Sequence, residues 1–260
     1  MKRRVDYDHI APGYDRRYCG DGMQDTAQVL QALARASHRG RTLEVGCGTG
    51  HFLGDLPIER PRLFGLDRSA GMLRRARQAQ GSLNLVQGDA GSLPYAASSV
   101  DLGYCVNAIH HFDEPQAFIR EAYRVLSCNG VLAIAGSDPR RQHHRWYLYD
   151  YFEGTYQTDL KRFPAWDRVS SWMSAAGFEE VDSRPVERIH QIREGRDVLS
   201  DPFLKQNSVS QLALLTEEVY AQGLRRIREA IKAAERDGQQ CSFETDIRLH
   251  MLVGKKGRAG

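Results

Sequence analysis

Seven consecutive residues, Glu44-Val45-Gly46-Cys47-Gly48-Thr49-Gly50, place three glycines on alternate positions behind an acidic side chain. Glycine lets a backbone turn through positive φ and lets a ligand approach the main chain, because no Cβ stands in the way. At the junction of a strand and a helix, such a turn also presents backbone N–H groups to a bound molecule. Two carboxylates follow at Asp67 and Asp89, and a histidine pair, His110-His111, lies shortly after Asn107. Imidazole changes charge near neutral pH, so His110 and His111 are the candidate catalytic residues, one of them as general base. The pair is a poor metal site. Adjacent histidines do not readily aim at one ion, and no H-E-x-x-H or carboxylate pair completes a set. His143-His144 reads the same way, and no metal is expected.

Spacing separates the ligands the glycine turn could hold. A dinucleotide fingerprint requires G-x-G-x-x-G, whereas here the glycines fall as G-x-G-x-G with His51 in the third place. A carboxylate as close as Glu44 would repel a pyrophosphate but not the cationic amino and sulfonium groups of S-adenosylmethionine. No Gly-Lys-Ser/Thr follows, which excludes a phosphate-binding loop of the nucleotide-triphosphate type.

Short apolar runs alternating with helical patterns must position these groups, which is the signature of an α/β protein with a mostly parallel sheet. Strands are expected at 42–45, at 63–66 ending on Asp67, at 83–86 before Gly88-Asp89, at 100–106 and at 131–135. Ser69 is placed to cap a helix whose Met72, Leu73, Ala76 and Ala79 share one face. Pro115 suits a first helical position, with Phe118, Ala122, Val125 and Leu126 on the buried side. Residues 142–177 read as two helices separated by Phe163-Pro164, closed by Gly177 before a strand at 186–192. Residues 1–37 read as an extension ending in a helix. Residues 194–238 read as a strongly helical stretch, with Leu212, Leu215, Val219, Ile227 and Ile231 at helical spacing, before a last strand at 243–253.

With these motifs in this order, the chain resembles the class I S-adenosylmethionine-dependent methyltransferases, in the broad ubiquinone/menaquinone methyltransferase-like (type 11) branch. The specific resemblance covers residues 40–136. It implies a Rossmann-like α/β fold: a seven-stranded, mostly parallel sheet with helices on both faces, an N-terminal helical lid and a helical insertion before the last strand. The chain is then one domain, with the lid at 1–37, the cofactor-binding core at 38–139 and substrate-side helices with the last two strands at 140–260, including the insertion at 194–238. S-adenosylmethionine is the implied cofactor and S-adenosylhomocysteine the product. Asp67 matches the acidic residue that holds the ribose hydroxyls, and Asp89 beside Ala90 matches the one that meets the adenine amino group. The chain around Asn107 matches the segment passing the methionine end. Glu44, Gly46, Cys47, Gly48 and Gly50 of the turn, with Arg68 and Met72, complete the expected cofactor set. Residues 7–15 resemble a segment that closes over the cofactor, which would put the Tyr14 ring near the sulfonium. The family usually has Lys-Pro-Gly before its fifth strand, and Cys128-Asn129 stands in the middle of that turn here.

Composition narrows the acceptor. The formal net charge is +3, from 36 basic and 33 acidic residues, and it is not gathered into a stripe or tail, so no phosphate footprint is visible. Asn107-Ala108-Ile109-His110 stands where DNA amino-methylating enzymes carry Asn/Asp-Pro-Pro-Tyr/Phe, and Cys105 follows Tyr104 rather than proline. A small-molecule acceptor attacking through oxygen, nitrogen or carbon is therefore expected, and nucleic acid is not. Aromatic residues around 146–152 and at Phe163, Trp166 and Trp172 are candidates for the acceptor pocket. Five cysteines without a C-x-x-C pair fit a reducing compartment, and with no signal-like segment or membrane span the expected location is cytoplasmic. A monomer or homodimer is expected. Two other classes remain: a non-catalytic or cofactor-remodelling S-adenosylmethionine-binding protein, and an NAD(P)-dependent oxidoreductase.

Overall fold

The computed structural model describes residues 5–11, 14, 23–37, 40–141 and 143–257. Along the chain run α1 (Tyr7–Ile10), α2 (Gln24–Ala36), β1 (Thr42–Val45), α3 (His51–Gly54), β2 (Leu63–Asp67), α4 (Ala70–Gln80), β3 (Asn84–Gln87), β4 (Val100–Val106), α5 (Pro115–Val125) and β5 (Leu126–Gly136). There follow β6 (Arg145–Trp146), α6 (Tyr147–Tyr151), α7 (Thr155–Arg162), α8 (Trp166–Ala175), β7 (Phe178–Glu194), α9 (Ser210–Ala213), α10 (Glu217–Arg236) and β8 (Ser242–Lys256). They form two compact units. The larger comprises Met23–Asp138, Phe163–Glu187 and Leu249–Gly260, the smaller Met1–Gly22, Pro139–Arg162 and Arg188–Arg248. The divisions drawn from sequence at 37 and 139 do not coincide with these units, because 163–187 and 249–260 return to the larger one.

In the larger unit five parallel strands are ordered β3-β2-β1-β4-β5. β1 and β4 are buried along their whole length, as befits central strands covered on both faces. Helix starts follow local chemistry. Ser69 Oγ accepts from Met72 N at 3.0 Å, and α4 buries Met72, Leu73 and Ala76. Pro115 opens α5, which buries Phe118, Ile119, Ala122 and Val125 against Leu43, Val100, Leu132 and Ile134. β8 runs antiparallel to β5 from Val131↔Lys255 to Gly136↔His250. Its Lys256 Nζ donates to the carbonyls of Tyr123 and Leu126, each at 2.7 Å. The ammonium thereby satisfies carbonyl oxygens that the end of α5 leaves without helical partners.

The smaller unit packs Leu148, Phe152, Val198, Leu212, Ile227, Ile231 and Phe243 together. α10 begins at Thr216, whose hydroxyl accepts from Val219 N at 3.3 Å. It passes Phe152 at Gly223, where a Cβ would lie 2.2 Å from the ring. Two buried carboxylates are each answered by a tyrosine: Tyr147 Oη donates to Asp201 at 2.9 Å and Tyr149 Oη to Asp159 at 2.8 Å.

Several boundaries differ from the sequence expectation. Eight strands are present among the described residues rather than seven, the extra being the two-residue β6, which pairs with β8 at Arg145↔Asp246 and Trp146↔Thr245. β5 begins at Leu126, so Leu126 belongs to the sheet and not to α5. The stretch 142–177 holds three helices, because Gly154 turns through φ 77° between α6 and α7. The stretch 194–238 is not continuously helical. Gly195 at φ 50° and Pro202 break it into short 3₁₀ turns, and only α10 is long. No helix among the described residues is long and apolar enough to cross a membrane.

Candidate active site

The three glycines after β1 all adopt left-handed backbone, with φ 74° at Gly46, 54° at Gly48 and 75° at Gly50. Their shape is set from β2, the parallel neighbour of β1. The N–H groups of Gly46 and Cys47 both donate to the Leu66 carbonyl, at 2.7 and 3.1 Å. One residue on, Asp67 Oδ2 accepts from Gly48 N and Oδ1 from Ser69 N, both at 2.8 Å. Asp67 thus fastens the glycine loop and the start of α4 to the end of β2. A Cβ on Gly46 would meet the Ala108 Cβ at 2.6 Å, so the loop also abuts the segment leaving β4.

Glu44 is buried beneath this loop, only 2% exposed. Tyr104, its register partner on β4, donates its hydroxyl to Glu44 Oε2 at 3.2 Å. Burial pushes the Glu44 carboxyl well above the usual carboxylate range and the Asp67 charge adds to this, while Tyr104 and the Leu53 backbone oppose it. A carboxyl easier to protonate in the folded than in the unfolded state stabilises fully below its unfolded pKa of about 4.3. That contribution is lost as pH rises through the folded value. Glu44→Gln should therefore lessen the fall in stability with rising pH above about 4.3, read from denaturant midpoints at several pH values. A variant profile parallel to that of the natural chain would remove Glu44 as the source.

Cys47, Met72 and Ala90, the other members of the expected cofactor set, are buried, at 5%, 1% and 6% exposure. The Cys47 thiol is pushed well up by burial and by the Glu44 and Asp67 charges, which disqualifies it as a nucleophile.

Arg68, the residue after Asp67, reaches two carboxylates. Its Nη2 donates to Asp89 Oδ2 at 3.1 Å and to Asp113 Oδ2 at 2.9 Å. Asp89 Oδ1 accepts from Gly91 N at 2.8 Å, which shapes the turn after β3. On the other side, Asn107 follows β4 at φ 48° with its N–H on the Ala135 carbonyl at 2.8 Å. His110 and His111 share a 3₁₀ turn with ring centroids 3.9 Å apart. Phe163 stacks on His110 at 3.8 Å and 11°, fixing the plane of the imidazole. The segment carrying Phe163 is itself anchored where Asp138, just past β5, accepts from Trp166 N at 3.2 Å.

Asp67, Arg68, Asp89, Asn107, His110 and His111 thus all stand at or just beyond the carboxyl ends of parallel strands, where open α/β sheets bind ligands. Tyr14 lies in the smaller unit, its ring edge-on to Tyr7 at 6.1 Å. Pro12, Gly13 and Asp15 of the same segment lie outside the described residues. The sequence reading missed Tyr104, Asp113 and the anchoring role of Asp138. Tyr104 needed the β1–β4 register, and Asp113 before Glu114-Pro115 looks like an ordinary helix-start residue. His190, Glu244 and Asp246 form an unforeseen cluster in the smaller unit. There Arg188 holds Asp246 through two bonds of 2.9 and 2.8 Å, and Arg145 holds Glu244 at 3.4 Å, so the carboxylates answer guanidiniums.

Residues 43–134 match the family described as "Methyltransferase domain". Over 185 residues, covering 69% of this chain and 52% of the relative, the chain is 32% identical to the chloroplastic 2-methyl-6-phytyl-1,4-hydroquinone methyltransferase 1 of Oryza sativa subsp. japonica. It is 30% identical over 143 residues to the malonyl-[acyl-carrier protein] O-methyltransferase of Legionella pneumophila, covering 53% of this chain and 48% of that one. The chain spans about half the length of these relatives. Its fold is similar to that of an S-adenosylmethionine-dependent methyltransferase from Thermotoga maritima, with a TM-score of 0.58 and 21% identity over 96% of this chain and 97% of that one.

Proposed function

Because residues 43–134 match the methyltransferase domain family, we propose that this protein transfers a methyl group from S-adenosylmethionine to a small-molecule acceptor. The observation that carries the reading is Asp67, which ends β2 while accepting from the backbone of the glycine loop. One carboxylate there can both set the loop and receive a ribose. The cradle fits the cofactor in its other parts too: positive-φ glycines at the end of β1, and Asp89 paired with Arg68 just beyond β3.

When bound, S-adenosylmethionine supplies a methyl group on a sulfonium, which is already a good leaving group. The protein's work is then largely alignment. Asp67 would hold the ribose hydroxyls, Asp89 the adenine amino group, and the backbone around Asn107 the methionine end. His110, or His111 beside it, would take a proton at a ring nitrogen where the acceptor's nucleophile carries one. The relatives named for a 2-methyl-6-phytyl-1,4-hydroquinone and for malonyl-[acyl-carrier protein] support an organic acceptor over nucleic acid.

Calorimetric titration with S-adenosylmethionine, S-adenosylhomocysteine and, as control, NAD tests the reading. Micromolar binding of both sulfur compounds and none of NAD is expected, and would justify screening reduced quinones and acyl esters for turnover. Binding of NAD alone would replace the methyltransferase reading with an oxidoreductase. Binding of the sulfur compounds without turnover on any acceptor would leave a binding protein.

A further inference from the structure

We propose that Arg68 and Asp113 form a latch across the mouth of the cofactor groove, setting how long the cofactor stays bound; this rests on the methyltransferase reading. Three strand ends are involved. Arg68 follows β2, Asp89 follows β3, and Asp113 follows β4 and its 3₁₀ turn. In the sheet order β3-β2-β1-β4, Asp89 belongs to the strand beside β2, but β4 lies beyond β1. Neighbouring strands are about 4.8 Å apart, so a contact from the end of β2 to the segment after β4 passes the end of β1. That is where the glycine loop leaves the sheet. The Arg68–Asp113 bond, at 2.9 Å, therefore ties together the two sides of the edge at which the cofactor must enter.

The bond is built to open. Arg68 is 53% exposed and Asp113 38%, and ion pairs of this exposure contribute little to stability. It is also built to close again in one place. Asp89 holds the same Nη2 atom at 3.1 Å, so the guanidinium stays at the groove when Asp113 lets go. The backbone beneath it is fixed, since Asp67 accepts from Gly48 and Ser69 on either side of the turn. An arginine held between two carboxylates is a swinging bar with a hinge at Asp89 and a catch at Asp113.

The test measures dissociation of S-adenosylhomocysteine from the purified full chain by stopped flow, together with equilibrium affinity. Asp113→Asn keeps the size of the side chain and removes its charge. It should raise the dissociation rate about five- to tenfold, with thermal stability unchanged. Arg68→Gln should do at least as much, and the double variant little more than Arg68→Gln alone, because the two residues act as one unit. Dissociation from the natural chain should quicken with added salt, and that dependence should flatten in Asp113→Asn. Unchanged dissociation in Asp113→Asn, or additive effects in the double variant, would overturn the latch while leaving the methyltransferase reading intact. A natural chain that binds neither S-adenosylmethionine nor S-adenosylhomocysteine would overturn both.

Discussion

Gly46→Ala should abolish cofactor binding and cost about 2–5 kcal/mol of local stability, the sum of two effects. Left-handed backbone costs a residue with a Cβ roughly 1–2 kcal/mol, and Gly46 sits at φ 74°. Overpacking adds about 1–3 kcal/mol, because the new methyl would stand 2.6 Å from the Ala108 Cβ. Neither neighbour can give way cheaply. The Gly46 and Cys47 N–H groups are tied to Leu66, and Ala108 is buried beside the end of β4. Gly154→Ala is the control. That glycine has φ 77° with nothing within 4 Å of its would-be Cβ, so it carries the positive-φ strain without the clash. Melting curves and titrations of both variants separate the two contributions. If Gly46→Ala binds S-adenosylhomocysteine as the natural chain does, the glycine loop is not the cofactor cradle.

Asp67→Ala is expected to weaken cofactor binding by about 1–3 kcal/mol, which is roughly 5- to 150-fold in Kd. The substitution removes an acceptor for the ribose and also releases Gly48 N and Ser69 N. Asp67→Asn should fall between, since one carbonyl oxygen can still accept from one of the two N–H groups while the amide cannot. Calorimetric affinity, with circular dichroism to establish folding, gives the answer. A folded Asp67→Ala protein of unchanged affinity would mean that the end of β2 does not face the cofactor.

What the sequence disclosed follows from how local its causes are. The glycine turn, Asp67 and Asp89 were legible because strand ends in a parallel sheet are written as an apolar run followed by a glycine or a carboxylate. Ser69 was legible as a cap because its partner, Met72 N, is three residues away. Tyr104 was not, because its contact with Glu44 spans 60 positions and exists only through the β1–β4 register. Asp113 was hidden similarly, 45 positions from Arg68. The burial of Cys47, Met72 and Ala90 was hidden too, because a motif marks positions without saying which way a side chain points. The stretch 194–216 read as helix because Leu212 and Leu215 keep helical spacing, but Gly195 and Pro202 interrupt it before tertiary packing can extend a helix.

The grip of Lys256 on the end of α5 spans 133 and 130 positions, and the pairing of β8 with β5 spans nearly as many. During synthesis the parallel strands emerge first, and β5 then stands as an open edge while the ribosome adds the next hundred or so residues. Unpaired edges of this kind invite pairing with other chains. Contacts this distant in sequence also form slowly. Completion of the sheet is therefore deferred to β8. A chain that stops before residue 249 would leave a nearly finished parallel sheet with its β5 edge uncovered.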